Sequence, residues 1–303
     1  MLEYNIIPSS YLDVDGIKIP QFNSNESVNI DVEVVSDFGD EWVKFSSFDK
    51  KDINIVGDAY FSLLKDVALD SNSLVLDVGC GTGRWAYYLS DKVGFIEAID
   101  PSKAVISAAK LLSTKSNTRI TQCDLENIPF DKGKFDLVYS LGVLHHMPDT
   151  ASAIKTASTF VKQGKYLLLY LYYGLDNRGP LFKFIFHCSN IARFFISKSP
   201  KGLKQIVCDL IAIFVYFPLV SIAKLLKKLK VKKSFWSKIP LAVYAENDSS
   251  FKILRNDSLD RFGTKLENRF TKVEIERMMS NAGMTDIEFS NNSPFWVAIG
   301  RKK

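Results

Sequence analysis

Three carboxylates fall at the ends of three successive apolar runs: Asp77 in "SLVLDVG", Asp100 in "GFIEAID" and Asp124 in "TRITQCD". The first run passes into Gly79, Gly81 and Gly83 and then into a helical stretch, so backbone can approach a ligand closely at the helix's positive end. The spacing is G-x-G-x-G, not the G-x-G-x-x-G of a dinucleotide pyrophosphate site, and a carboxylate two residues before the first glycine would repel such a group. Asp77 instead suits a ligand with a positive group, such as the ammonium or sulfonium of S-adenosylmethionine. Asp100 stands about where an acid takes both hydroxyls of a ribose. Asp124 is placed to accept from an adenine amine while Leu125 packs on the ring. Strand-end aspartates also cap helices and form turns, so each acid alone has a second reading. Together with the loop they point to one crevice.

Other groups lie along the chain where the same crevice could use them. His145 and His146 follow the fourth of these runs, and either could be general base for a hydroxyl or amine acceptor, or could only line the pocket. Trp42, with Phe38 and Phe45, could form an aromatic lid and attract a sulfonium, or could staple the N-terminal segment to the core. Asp176, Asn177 and Arg178 come just after the fifth run and are candidate substrate contacts, with an ordinary polar turn as the alternative. The four cysteines, Cys80, Cys123, Cys188 and Cys208, are scattered without a CxxC pair, which argues against a zinc site or a disulfide framework.

The elements that must position these residues are legible as apolar runs of four to six residues alternating with helical stretches from about Ser73 onward. Such alternation means a parallel sheet covered by helices on both faces. Before it, "YLDVDGIKIP" reads as a hairpin turning at Asp15 and Gly16. After it, "FTKVEIERMMSNAGM" carries a capping box at Thr271 and Glu274 and a C-terminal glycine at Gly283, and "TDIEFS" and "FWVAIGRKK" close the sheet around a polar "NNSP" turn.

"LDVGCGTG", "AIDPS", "CDLENIPF" and "FDLVYSLGVLHHMPD" match in order and spacing the motifs of a known family: the chain resembles a class I S-adenosylmethionine-dependent methyltransferase of the type 11 subgroup. The resemblance implies an α/β Rossmann-like sheet of seven strands in the order 3-2-1-4-5-7-6, mostly parallel, with strand seven antiparallel. It implies loop contacts to S-adenosylmethionine from Asp77, Gly79, Cys80, Gly81 and Gly83, a ribose acid at Asp100, and an adenine clamp at Asp124 and Leu125. Gly142 and Val143 would line the methionine side, with Trp42 close by. "VDGIKIPQF" resembles the end of a zinc ribbon without its cysteines, and no metal is expected. "SDFGDEWVKF" and "RFGTKLENRF" also look like a subgroup often encoded with bacterial surface-polysaccharide genes. The expected division is a lead-in over 1–50 and a methyltransferase domain over 51–303, which carries a helical insertion at 180–245.

That insertion reads, from Leu181 to roughly Lys238, as two or three apolar helices interrupted at Pro200 and Pro218, and it has the most unusual composition. From Lys183 to Lys238 twelve Lys or Arg face one acid, Asp209, so this segment carries +11 of a net +5, and the rest of the chain about −6. Its uncharged run from Leu210 to Ala223 is 14 residues long and contains Pro218, short of the ~20 that a bilayer span needs. Beyond Pro218 the pattern is an amphipathic helix with a basic face. It is expected to be a lid over the acceptor or an element on an anionic membrane surface.

The N-terminus lacks the basic and apolar regions of a signal peptide, so the expected location is the cytoplasm, with a peripheral place at the inner membrane face as the variant. The fourth run leads into "SLGVLHH", not the N-P-P-Y type of segment used on base or amide nitrogens, and nucleic acid is not an expected partner. The expected activity is methyl transfer to a small-molecule, glycan or lipid-linked acceptor. The alternatives are an isoprenoid quinone or other lipid at the membrane surface, and S-adenosylmethionine binding without catalysis.

Overall fold

The computed structural model describes residues 1–22, 27–44, 50–292 and 295–303. It divides into a sheet unit, Met1–Asp176 with Leu266–Lys303, and a helical unit, Asn177–Lys265. The sheet unit opens on the hairpin β1 (Ser10–Val14) and β2 (Ile17–Phe22), turned by Asp15 and Gly16 at φ of 52° and 85° as a two-residue turn of this kind requires. Then come α1 (Val32–Lys44), α2 (Lys50–Tyr60), β3 (Leu74–Val78), α3 (Arg84–Leu89), β4 (Phe95–Asp100), α4 (Val105–Leu112), β5 (Thr118–Cys123), β6 (Phe135–Leu141), α5 (Thr150–Thr159) and β7 (Val161–Tyr170). The helical unit supplies α6 (Pro180–Ser197), α7 (Lys201–Ile211), α8 (Phe217–Lys228), α9 (Lys233–Trp236), α10 (Ala242–Glu246) and α11 (Phe251–Gly263). The sheet unit resumes with α12 (Lys272–Asn281), β8 (Met284–Phe289) and β9 (Val297–Lys302). The expected capping box at Thr271 and Glu274 starts α12, and part of the "NNSP" turn, Ser293 and Pro294, lies outside the described residues.

The nine strands among the described residues form one sheet, in the order β1-β2-β5-β4-β3-β6-β7-β9-β8. This corrects the expected seven. The N-terminal hairpin, expected as a lead-in, runs β2 parallel to β5 and so extends the sheet by two strands. The seven strands from β5 onward follow the order 3-2-1-4-5-7-6 when counted from β3, with β9 antiparallel to both its neighbours. Alternate residues serve opposite faces, as the strand period dictates. Val75, Ile96, Leu137 and Leu168 pack with Trp85, Leu89, Ala108 and Leu112, while Leu76, Val138, Leu167 and Leu169 pack with Ile154, Ala157, Ile275 and Met279. Burial on both faces is why these runs are continuously apolar.

In the helical unit, Lys201–Lys228 is one helix of 28 residues, with α7 and α8 joined through a π-helical turn at Ala212–Tyr216. This corrects the expected interruption at Pro218 and the length argument built on it. Proline lacks an N–H and crowds the turn before it. Here it falls in the first turn after the π segment, whose wider i to i+5 pattern already relaxes the hydrogen-bond ladder. The same extra residue keeps Lys204, Cys208, Ala212, Tyr216 and Val220 in one buried stripe. An uninterrupted α-helix would rotate a four-residue spacing by about 40° per step. By length and composition this helix could cross a membrane. Pro200, by contrast, does separate two helices, capping the start of α7.

One buried ion pair fastens the sheet's N-terminal half. Arg119 on β5 grips Glu97 on β4 with Nε and Nη2 at 2.8 and 2.7 Å, and also donates to the Leu2 carbonyl at 2.6 Å. Burial raises the Glu97 carboxyl's proton affinity, and Arg119 opposes that. Removing one partner leaves a charge without compensation in the interior. Arg119→Ala is expected to lower unfolding free energy by about 3–5 kcal/mol in urea titrations.

Candidate active site

The chain leaves β3 toward β4 and β5, then returns to place β6 on β3's other side, so the carboxyl ends of β3 and β6 border the crevice where open α/β sheets hold ligands. The glycine loop begins there. Gly79, Gly81 and Gly83 have φ of 78°, 52° and 78°, a region that residues with side chains avoid. A Cβ on Gly79 would also stand 2.6 Å from the Val143 side chain, so β3's loop and β6's loop touch only because Gly79 has none. The Gly79 and Cys80 amides both donate to the Ile99 carbonyl at 2.9 Å, and burial pushes the Cys80 thiol well up, which keeps it protonated. Gly142, at φ 79°, donates its amide to the Tyr170 carbonyl at 3.0 Å and turns the chain toward Val143.

The three acids differ in what they have left to offer. Asp77 is 1% exposed, and its Oδ2 has no hydrogen-bond partner among the described residues. Burial pushes its carboxyl up to about 8, with the neighbouring Tyr139 hydroxyl pulling down and Asp100 adding a like charge. Tyr139 sits opposite Asp77 in the β3–β6 register. A cation placed against Asp77 would recover the ionised form, so the buried oxygen fits a ligand with a positive group. Asp100 accepts the Ser102 amide (2.8 Å) and hydroxyl (2.6 Å) on Oδ1 and the Gly81 amide (2.9 Å) on Oδ2. One acceptor direction on Oδ2 remains for a hydroxyl, and a second hydroxyl would have to displace that of Ser102. Asp124 is used differently. Its Oδ1 accepts the amides of Glu126 and Asn127 at 2.9 and 3.0 Å, and its Oδ2 accepts the Ser27 hydroxyl at 2.6 Å, which is the turn-forming use of such an acid. Leu125 beside it is buried in the core.

Residues 76–169 match the model of a methyltransferase domain family. Over these residues the chain is similar to a methyltransferase domain. A ubiquinone biosynthesis O-methyltransferase of Marinobacter nauticus is 30% identical over 135 residues, covering 43% of this chain and 54% of that protein. One of Coxiella burnetii is 26% identical over 179 residues, 57% of this chain and 74% of its own length. The chain thus spans about half the length of the first of these relatives. Human N-acetylserotonin methyltransferase, solved in complex with SAM, superposes with a TM-score of 0.50 at 16% identity, covering 88% of this chain and 56% of that one, a likeness of fold.

Within the matched region the two histidines have separate environments. His145 is fully buried, stacked on Tyr172 with ring centroids 3.9 Å apart, and neither ring nitrogen has a hydrogen-bond partner among the described residues. Burial, then the neighbouring His146 and Arg269, lowers its proton affinity far below the usual imidazole range. His146 is held by the Leu266 carbonyl, 2.7 Å from Nδ1. A carbonyl can only accept, so the neutral ring carries its proton on Nδ1 and presents Nε2 as an acceptor. Phe38 on α1 lies 4.8 Å from the His146 ring. Trp42, one helical turn on, has its indole nitrogen 3.8 Å from where a Gly81 Cβ would be, and the Arg84 guanidinium covers its ring at 4.8 Å. Phe45 lies outside the described residues.

Asp176 accepts the Trp296 indole at 3.0 Å and the Lys272 amide at 3.1 Å, so it ties the starts of α12 and β9 to the end of β7. Asn177 and Arg178 fall in the helical unit, where Arg178 lies 5.0 Å from the Phe182 ring. Sequence reasoning missed Tyr139, Ser102, Tyr172 and the segment around Leu266–Phe270. That segment crosses the end of β7: the Phe270 amide donates to the Tyr172 carbonyl at 2.9 Å and its carbonyl accepts from Gly174 at 2.7 Å, Asn268 donates to the His145 carbonyl at 2.9 Å, and Arg269 pairs with Glu267 beside Tyr172. Alternation in "YLYY" hinted at Tyr170 and Tyr172 sharing a face, but nothing local links them to residue 266 or 269.

Asp77 has a consequence for stability. Between the ordinary value of 3.8 and about 8 the folded chain retains a proton that the unfolded chain has released, so stability should fall as pH rises through that window. Asp77→Asn stays neutral, so at about pH 9 it is expected to melt above the wild type, with the difference vanishing near pH 4. Differential scanning fluorimetry across that range checks the sign, and equal melting at both ends would remove the buried-proton assignment.

Proposed function

We propose that this chain transfers a methyl group from S-adenosylmethionine to a small-molecule or lipid-linked acceptor. The observation that carries the reading is the Asp77 carboxyl, buried at the switch point beside three left-handed glycines with an oxygen open to a cation. In that reading the loop from Gly79 to Gly83 admits the methionine portion, with Cys80, Gly142 and Val143 along it. Asp100 takes a ribose hydroxyl, and Leu125 borders the adenine, whose amine would reach Asp124 by displacing Ser27. Bound there, the cofactor supplies a methyl group on an electron-poor sulfonium.

The chain's own contribution is alignment and a place for the proton. Holding nucleophile and methyl in line can contribute up to ~7–11 kcal/mol. His146, with Nδ1–H fixed by the Leu266 carbonyl, takes the acceptor's proton on Nε2, after which the doubly protonated ring still donates to Leu266. Buried neutral His145, stacked on Tyr172, sets the position of its neighbour. Trp42 and Phe38 close the N-terminal side. Asp176 is a tether of the sheet unit in this reading, and Asn177 and Arg178 remain candidate acceptor contacts.

The names of the curated relatives favour a second, narrower reading, in which the acceptor is a hydroxyl on an isoprenoid quinone precursor. The test is label transfer from methyl-tritiated cofactor to a catechol-headed isoprenoid or to a whole-cell extract. His146→Ala is expected to lower kcat about 10²–10⁴-fold with cofactor affinity little changed by calorimetry. Asp77→Asn should do the reverse and weaken cofactor binding first. His145→Ala should chiefly lower Tm. Tight cofactor binding with no label transferred to either acceptor source would leave a binding protein without catalysis.

A further inference from the structure

The helical unit has an apolar core around Tyr216, Val220, Trp236 and Leu254, yet two of its helices also turn bulky apolar residues outward. A helix of a water-soluble domain turns its apolar stripe inward and its polar side to solvent. On α6, Leu181, Phe184, Ile185, Ile191 and Phe195 recur at helical spacing and are all exposed. The opposite side of the same helix is the polar one: Ser189 and Asn190 accept from Arg261 of α11, whose guanidinium also covers Phe186. The Lys201–Lys228 helix repeats the arrangement. Leu203, Ile206, Leu210, Phe214, Phe217 and Leu225 are exposed, whereas Asp209 is turned to Arg255 of α11, which donates Nε and Nη2 to it at 2.6 Å each. An exposed apolar surface of this extent marks an interaction site.

Charge decides what kind of partner it fits. The segment from Lys183 to Lys238 carries +11, and its exposed lysines stand at the ends of the apolar stripes: Lys183, Lys198 and Lys201 around α6, Lys228 at the end of α8, and Lys230 and Lys232 beyond it. An apolar band bordered by lysines complements the two layers of an anionic leaflet, acyl chains and phosphates, and each basic residue near such a surface contributes ~1 kcal/mol. We infer that the outer face of α6 and of the Lys201–Lys228 helix docks on an anionic phospholipid bilayer, lying in its headgroup region. A span by Lys201–Lys228 is disfavoured by what packs on it. α11 would be drawn into the hydrocarbon with Arg255, Asp257, Asp260 and Arg261, and such residues cost ~2.5–3.5 kcal/mol each at the bilayer centre.

The test uses the full chain, without cofactor or acceptor, so that its outcome does not depend on methyl transfer. Co-sedimentation is expected with phosphatidylcholine vesicles containing phosphatidylglycerol, to weaken with added salt, and to be slight with phosphatidylcholine alone. Phe195 and Phe214 are 67% and 72% exposed, so replacing both should spare the fold. Phe195→Asp with Phe214→Asp should lower vesicle affinity about tenfold or more with an unchanged melting temperature. Three results would overturn the docking: no sedimentation at low salt; retention in cell membranes after alkaline carbonate washing, which means a span; or a wild-type dimer that the double variant splits while vesicle binding persists, which means that a second copy covers this face.

Discussion

A carboxyl group held out of water at the end of a central strand is the constraint around which the sheet unit is arranged. Asp77 can be tolerated there only as a protonated acid or as the partner of a cation. Its neighbours show both sides of that choice. Tyr139 and Asp100 shift the balance in opposite directions, and the three glycines let backbone, not side chains, form the wall that a ligand would meet. The close approach of Gly79 to Val143 carries the same constraint across the switch point to β6. The glycine loop and the segment leading into the histidine pair are thereby held together by one contact.

The histidines illustrate how tertiary structure separates two identical neighbours in sequence. His145 is buried as packing, with an imidazole too costly to charge. His146 receives a defined tautomer from a carbonyl 120 residues further along the chain. That carbonyl belongs to the segment with which the chain returns from the helical unit, so the sheet unit is completed only after the long excursion through α6–α11. The helical unit meanwhile pairs Asp209 with Arg255 and Asn190 with Arg261 beside an apolar core around Tyr216 and Trp236, and still leaves Phe184, Phe195 and Phe214 outward.

Much of the sheet was legible because its evidence is local. Runs of alternating-face residues, a glycine spacing and strand-end acids are periodic or contiguous, and Asp77, Asp100 and the loop lie where their spacing indicated. The hairpin turn at Asp15 and Gly16 was equally local, but its docking beside β5 was not. It rests on edge pairing between residues about a hundred positions apart, Gln21 with Gln122 among them. Asp124 shows the limit at a single site. Its type and position permit a ligand contact or a turn, and the choice depends on Ser27, whose placement no spacing encodes.

By itself, then, the sequence determined the class of sheet, the glycine loop with its strand-end acid, and a basic, apolar insertion after the fifth central strand, while the order of the central strands came from the family resemblance. Tertiary structure alone decided the count of nine strands among the described residues, which histidine is held by the Leu266 carbonyl, the use of Asp124 and Asp176 as tethers, and the survival of a helix through Pro218. The apolar pattern of the insertion was visible as a period. Whether that period faced inward or outward was not, because a helical stripe specifies only that one side differs from the other, and which side meets solvent depends on where polar partners such as Arg255 and Arg261 arrive from elsewhere in the chain.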